Sequence, residues 1–150
     1  MVRPKVESAR YEETVDAATD DVFDAWTKPA ELMLWFGPGG FQTIEAQVDL
    51  RPGGRYQLVM RAPDGRLLTI VGVYREIDPG RRLVYSWTWA HAPAEEMTVT
   101  VEMHPVGTGA TRVVVSHARI VDGERLRYES GWVEGIARLN ALLAKSKRGG

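Results

Sequence analysis

Hydrophobic and polar positions change their rhythm three times along the chain. Residues 9–15 alternate with the two-residue period of a half-buried strand. Thr19 then precedes Asp20, Asp21 and Val22, a helix start in which threonine can serve as N-cap and two carboxylates meet the positive end of the helix dipole. Val22, Phe23 and Trp26, followed by Leu32, Leu34, Trp35 and Phe36, recur at helical spacing on either side of Pro29. The proline predicts two short helices in tandem, closed by Gly37-Pro38-Gly39-Gly40. From Phe41 to Arg119 the period is two again. Turn signals at Pro52-Gly53-Gly54, Pro63-Asp64-Gly65, Asp78-Pro79-Gly80, His91 to Pro93 and Gly107 to Gly109 divide this segment into six strands of a meander. The last stretch, from about Asp122 to Lys147, has no proline and returns to helical spacing, which predicts one long helix.

One strand, two short helices, six strands and a long helix describe an α+β fold with an antiparallel sheet. The final helix must bury its apolar stripe, and the concave face of the sheet is the one large surface that can take it. At 150 residues the chain forms a single domain, 1–150, with a core of about 9–146 and a flexible tail at 147–150. Lys145, Lys147 and Arg148 suit the negative end of the last helix.

Parity assigns side chains to faces. Met97, Val99, Val101 and Met103 share one face, and Thr98, Thr100, Glu102 and His104 the other, so His104 points to solvent. Arg112 marks its own set as outward, which sends Thr111, Val113, Val115 and His117 inward. Leu83, Tyr85, Trp87 and Trp89 share a face, as do Tyr56, Leu58 and Met60. On the last helix Trp132, Ile136, Leu139 and Leu143 form the stripe, flanked by Val133 and Leu142, with Tyr128 beside Trp132 and with Glu129 and Asn140 inside its edge. A carboxylate there is costly unless paired, solvated or used, which singles out Glu129. Gly131 and Gly135 each cost up to about 1 kcal/mol in a helix relative to alanine. They signal close backbone packing or a bend over a cavity.

Composition removes several functional classes. Nineteen basic residues scattered among 20 acidic ones leave a net charge of -1, with no field for nucleic acid or an anionic membrane. No cysteine is present, which excludes disulfides, thiolate metal sites and a cysteine nucleophile. His91, His104 and His117 lie on different elements without ligand spacing, so neither a metal nor another cofactor is expected. The glycine-rich turns fit no phosphate loop, and no Gly-x-Ser-x-Gly elbow occurs. No apolar run is long enough for membrane insertion, and Met1 to Glu13 holds no signal peptide, so the expected location is cytoplasmic.

Several motifs then occur in a specific order. They are Val22-Phe23-Asp24-Ala25-Trp26-Thr27-Lys28-Pro29, Leu34-Trp35-Phe36-Gly37-Pro38, Asp49-Leu50-Arg51-Pro52-Gly53-Gly54, Pro63-Asp64-Gly65, Gly72-Val73-Tyr74-Arg75-Glu76-Ile77, Leu83-Val84-Tyr85-Ser86-Trp87 and Gly131-Trp132. From about Ala9 to Leu143 the chain resembles the bacterial homologues of the heat-shock-protein-90 ATPase activator (AHSA-type). These are a branch of the START-like (SRPBCC) superfamily, which also includes polyketide cyclases and lipid-transfer domains. The resemblance implies a helix-grip fold, a curved antiparallel sheet wrapped around the long C-terminal helix with two short helices after strand 1. It also implies a cavity for a small apolar or amphipathic ligand. It carries no shared catalytic motif, and the fold hosts transport, sensing, cyclisation and chaperone contact, so function must be argued from the site.

The candidate ligand-binding residues are Trp35, Tyr56, Met60, Trp87, Met97, His117, Tyr128, Glu129, Trp132 and Ile136. They either line a pocket or simply fill the core. The leading expectation is binding or sensing of a small apolar molecule without catalysis. One alternative is a cyclase, dehydratase or hydrolase in which His117 and Glu129 move a proton; the other is contact with a chaperone. As plain structure, the same two residues are a hydrogen-bonded interior histidine and a carboxylate at the cavity mouth. An exposed patch on Val71, Val73 or Val84 would suit a homodimer.

Overall fold

Pro29 divides the apolar stretch after the first strand as its missing N–H requires. It takes the first turn of a second helix, where no hydrogen-bond partner is needed. The computed structural model describes residues 6–149, with side chains as far as Lys145. It runs β1 (Val6–Val15), α1 (Thr19–Thr27), α2 (Pro29–Trp35), β2 (Gln42–Val48), β3 (Arg55–Arg61), β4 (Leu67–Asp78), β5 (Arg82–Trp89), β6 (Met97–Val106), β7 (Ala110–Val121) and α3 (Arg125–Gly149). Thr19 is not a cap. It is the first residue of α1, Ala18 holds the cap position without a side-chain bond, and Asp20 and Asp21 alone complement the dipole. The backbone of residues 147–149, assigned to a tail by the sequence, continues α3, and Gly150 lies outside the described residues.

The seven strands form one antiparallel sheet in the order β1-β7-β6-β5-β4-β3-β2. The α1–α2 segment carries the chain from one edge to the other, and the meander then returns β7 to the side of β1. Three bulges curve the sheet: an extra residue at Ile44 in β2, at Arg75 in β4, and in β7 opposite Ser8, where Arg119 adopts a φ of 67°. Each bulge shifts the inward set by one residue, so inward Tyr74 is followed by Ile77, and His117 by Ile120. Elsewhere simple alternation holds, as in β6, where Met97, Val99, Val101 and Met103 are buried and the intervening residues through His104 are half-buried.

Val71, Val73 and Val84, the candidate outer patch, are each half-buried, and Gln57 and Arg55 stand directly opposite Val71 and Val73. On the inner face Gly72 pairs with Tyr56, and a Cβ there would collide with the Ser86 carbonyl oxygen and the Tyr56 ring.

On α3, Trp132, Ile136, Leu139 and Leu143 are buried, whereas Val133, expected at the stripe's flank, is 42% exposed. One residue turns the helix by about 100°, which takes Val133 off the sheet-facing side. The helix comes close to β1, β7, α1 and α2, with no comparable approach to β4 or β5 among the described residues. Asn140 fastens it to the end of β1 by accepting the Asp16 backbone N–H at 3.0 Å.

Candidate ligand-binding cavity

Where α3 stands away from the central strands, a cavity of about 710 Å³ remains. Its floor is Met60 of β3, Leu68 of β4, Trp87 and Trp89 of β5 and Met97 of β6. Tyr128, Gly131, Trp132 and Gly135 of α3 form the roof. The two glycines leave bare helix backbone as part of the wall. A Cβ at Gly131 would lie 3.9 Å from the Pro38 Cβ, and one at Gly135 would lie 3.5 Å from the Gly37 carbonyl oxygen. Those are ordinary contacts, so the glycines widen the cavity without being forced by a clash.

A third wall comes from the end of α2 and the loop after it, with Trp35, Phe36, Gly37, Pro38 and Phe41. The Trp35 indole N–H donates to the Ala25 carbonyl at 2.8 Å, locking α2 onto α1. Gly37 turns the loop with a φ of 119°, in the left-handed region that favours glycine. Two bonds fasten this loop to α3: the Arg138 guanidinium donates to the Gly37 carbonyl at 2.7 Å, and the Gly39 N–H donates to the Glu134 carboxylate.

Polarity is graded from depth to mouth. The deep wall is rings: Trp87 lies 5.6 Å from Phe36, 6.0 Å from Trp132 and 6.1 Å from Tyr128, centroid to centroid. The Trp89 indole donates to the Tyr128 hydroxyl at 2.7 Å, joining floor to roof. At the exposed rim stand Arg66, His91, Glu95, Arg127 and Glu134, with Glu124 half-buried beside them. Among the described residues no three His, Asp or Glu side chains converge as metal ligands would.

Six of the ten residues singled out from the sequence line this cavity: Trp35, Met60, Trp87, Met97, Tyr128 and Trp132. Four do not. His117 is fully buried behind the wall, where its Nδ1 accepts the Trp132 indole N–H at 3.1 Å and its Nε2 lies 3.2 Å from the Met97 sulfur. Burial pushes its pKa down to about 3, so the ring is neutral and its one basic lone pair is already occupied. Glu129 points out of the cavity and pairs with Arg125, one turn earlier, at 2.8 Å. The acid–base pair of the enzymatic alternative therefore does not assemble. Tyr56 shares the inner face of β3 with Met60 but sits four residues away, about 13 Å along the strand, donating to the Ser86 carbonyl at 2.6 Å. Ile136 is core on the buried face of α3.

Phe36, Phe41 and Leu68 were missed as wall residues. Leu68 was within reach of the pattern, since it pairs with Met60 across β3 and β4. Phe36 and Phe41 sit at a helix end and in a loop, which alternation cannot orient.

A curved antiparallel sheet closed by a long C-terminal helix over an apolar cavity defines a helix-grip domain of the START-like class. Within that class the chain belongs to the family described as activator of Hsp90 ATPase homolog 1-like proteins, whose model matches residues 16–144. Among solved structures it is similar to a protein from Nitrosomonas europaea, at 28% identity and a TM-score of 0.81, covering 94% of this chain and 96% of that one. It is also similar to one from Chromobacterium violaceum, at 27% identity and a TM-score of 0.79 over 91% and 96% of the two chains. The AHSA1 protein from Silicibacter pomeroyi matches at 25% identity and a TM-score of 0.82, over 93% and 99%. No curated protein matches the chain. No helix among the described residues is long and apolar enough to cross a membrane.

Proposed function

We propose that this domain binds or senses a small apolar or amphipathic molecule in the cavity beneath α3, without catalysing a reaction on it. The observation that carries this reading is a ring-lined space of about 710 Å³, a size typical of small-molecule sites, in a position where the sequence could have packed solid core. The charged rim suits the polar end of an amphipathic occupant, with its apolar part inside. Catalysis is disfavoured by the interior chemistry: His117 is neutral with its lone pair in use, and Glu129 is ion-paired elsewhere.

Native mass spectrometry of freshly purified protein is the direct test, with a carried-through molecule of a few hundred daltons as the expected result. In a melting assay, an apolar compound at 100 times its dissociation constant stabilises the fold by about 2.7 kcal/mol. A panel of fatty acids, steroids and aromatic polyketides that shifts nothing would refute the reading.

A further inference from the structure

The charged side chains at the mouth of the cavity are not equivalent. Arg66 pairs with Asp64 at 2.8 Å, and Arg127 pairs with Glu124 at 3.2 Å, so both arginines of the rim already have a carboxylate. Glu134 accepts the Gly39 N–H and is occupied in holding the loop to α3. Glu95, exposed on the segment between β5 and β6, is the rim carboxylate whose side chain has no ion pair or hydrogen bond among the described residues. The charge that an entering head group meets unmatched is therefore negative.

Two rings stand beside it. Trp89 of β5 and Tyr128 of α3 both line the cavity, are both half-buried, and are held together by the 2.7 Å bond between them. Burial raises the pKa of Tyr128 against the lowering effect of the Trp89 bond; the charges of Glu124 and Glu95 raise it further, with Arg127 opposing. Both carboxylates thus lie close to the phenol. Electron-rich rings next to an unmatched carboxylate suit an ammonium group, which gains from each of them. An anionic head group would face Glu95, Glu124 and Glu134, and could use Arg66 or Arg127 only by drawing it from its present partner.

Resting on the cavity reading above, we infer that the ligand is an amphipathic amine, its apolar part lying under Gly131 and Trp132 and its ammonium held at the mouth by Glu95 and the rings of Trp89 and Tyr128. The ammonium keeps much of its hydration there, because Glu95 is exposed. Desolvation of the charge, the main cost of burying a cation, is thereby avoided. The site ranks ligands by the sign of the head group rather than refusing neutral ones.

Decylamine, decanol and decanoate share one chain length and differ in head-group charge. At pH 8 an alkylamine is a cation, a carboxylic acid an anion and an imidazole uncharged, so titration calorimetry below micelle-forming concentrations reads the effect of that charge. Decylamine is expected to bind about five- to tenfold more tightly than decanol, the combined worth of one exposed ion pair and one exposed cation–π contact, and decanoate more weakly than either. In Glu95→Gln the preference for the amine is expected to fall to about threefold or less, what the rings alone supply. Glu96→Gln is the control: that carboxylate is next in sequence and equally exposed to solvent, but it pairs with Arg75 at 3.5 Å and is off the cavity wall, so the preference is expected to stay. Equal affinities for amine and alcohol, tightest binding of decanoate, or a preference that Glu95→Gln leaves intact or that both variants reduce alike would overturn the head-group assignment and leave the cavity reading standing. Failure of all three probes to bind overturns both.

Discussion

Two clusters of aromatic side chains share the inner face of one sheet and have opposite characters. Around β3 to β5, Tyr56, Tyr74 and Tyr85 pack with rings 5.5 to 6.2 Å apart, and the gap left beside them is about 20 Å³. Two of their three hydroxyls are spent inside the protein: Tyr56 donates to the Ser86 carbonyl, and Tyr85 accepts from Trp26. Under the first half of α3, Trp35, Phe36, Trp87, Trp89, Tyr128 and Trp132 surround about 710 Å³ and leave one N–H unused. Both regions are rich in rings on inward positions. The difference teaches that aromatic content does not distinguish core from pocket; what covers the rings does, Trp26 and Leu32 of α1 and α2 over the tyrosines and the glycine-bearing part of α3 over the cavity.

The largest test of that contrast is truncation. Tyr56→Ala opens a void in the filled cluster and frees the Ser86 carbonyl, with an expected loss of about 3–5 kcal/mol in urea unfolding. Trp89→Ala, on half-buried cavity wall, is expected to cost only about 1–2 kcal/mol while weakening ligand binding, because the space it leaves joins one already open. Equal losses at the two sites would contradict the distinction.

Next in size is a pH effect from His117, which lies between the cavity and the core. Its pKa is about 3 in the folded protein against 6.5 ordinarily, so between those values the unfolded chain binds a proton that the folded one does not. Stability therefore falls as pH drops below 6.5 and levels off near pH 3. The slope is about 1.4 kcal/mol per pH unit, or about 2 kcal/mol lost by pH 5. His117→Gln keeps an oxygen for the Trp132 indole and removes the titration. The difference in urea midpoint between wild type and variant is expected to narrow steadily from pH 7 to pH 5.

Tyr85→Phe comes third, at about 1–2 kcal/mol, since it orphans the Trp26 indole N–H in the filled cluster. Ligand affinity should be unchanged. Smallest is Gly131→Ala, where the new Cβ meets only ordinary contact. Helix propensity predicts a gain of up to about 1 kcal/mol, read as a higher melting temperature, together with weaker binding of bulky ligands.

Much of this was legible in the chain. Alternation in β5 and β6 assigned Leu83, Tyr85, Trp87, Met97 and Val99 to the inner face, and they are buried there. Turn residues set the meander, and Pro29 set the helix break. Alternation misled where it was asked for position rather than face. Tyr56 and Met60 have the same parity, yet one is core and the other cavity wall. Helical projection likewise put Val133 at the flank of the stripe, although it is exposed, whereas Glu129, put inside its edge, is half-buried there.

By itself the sequence determined the order of elements, the sheet type and the inward set of each regular strand, because these follow from side-chain periods of 2.0 and 3.6 residues that act over a few neighbours. Only the tertiary structure decided that the inward rings divide into a filled half and an open half. That outcome depends on three bulges that curve the sheet, on two glycines that thin the helix, and on the bonds from Glu134 and Arg138 that hold the Gly37–Gly40 loop against α3. Each joins residues far apart in sequence, where no local period reaches.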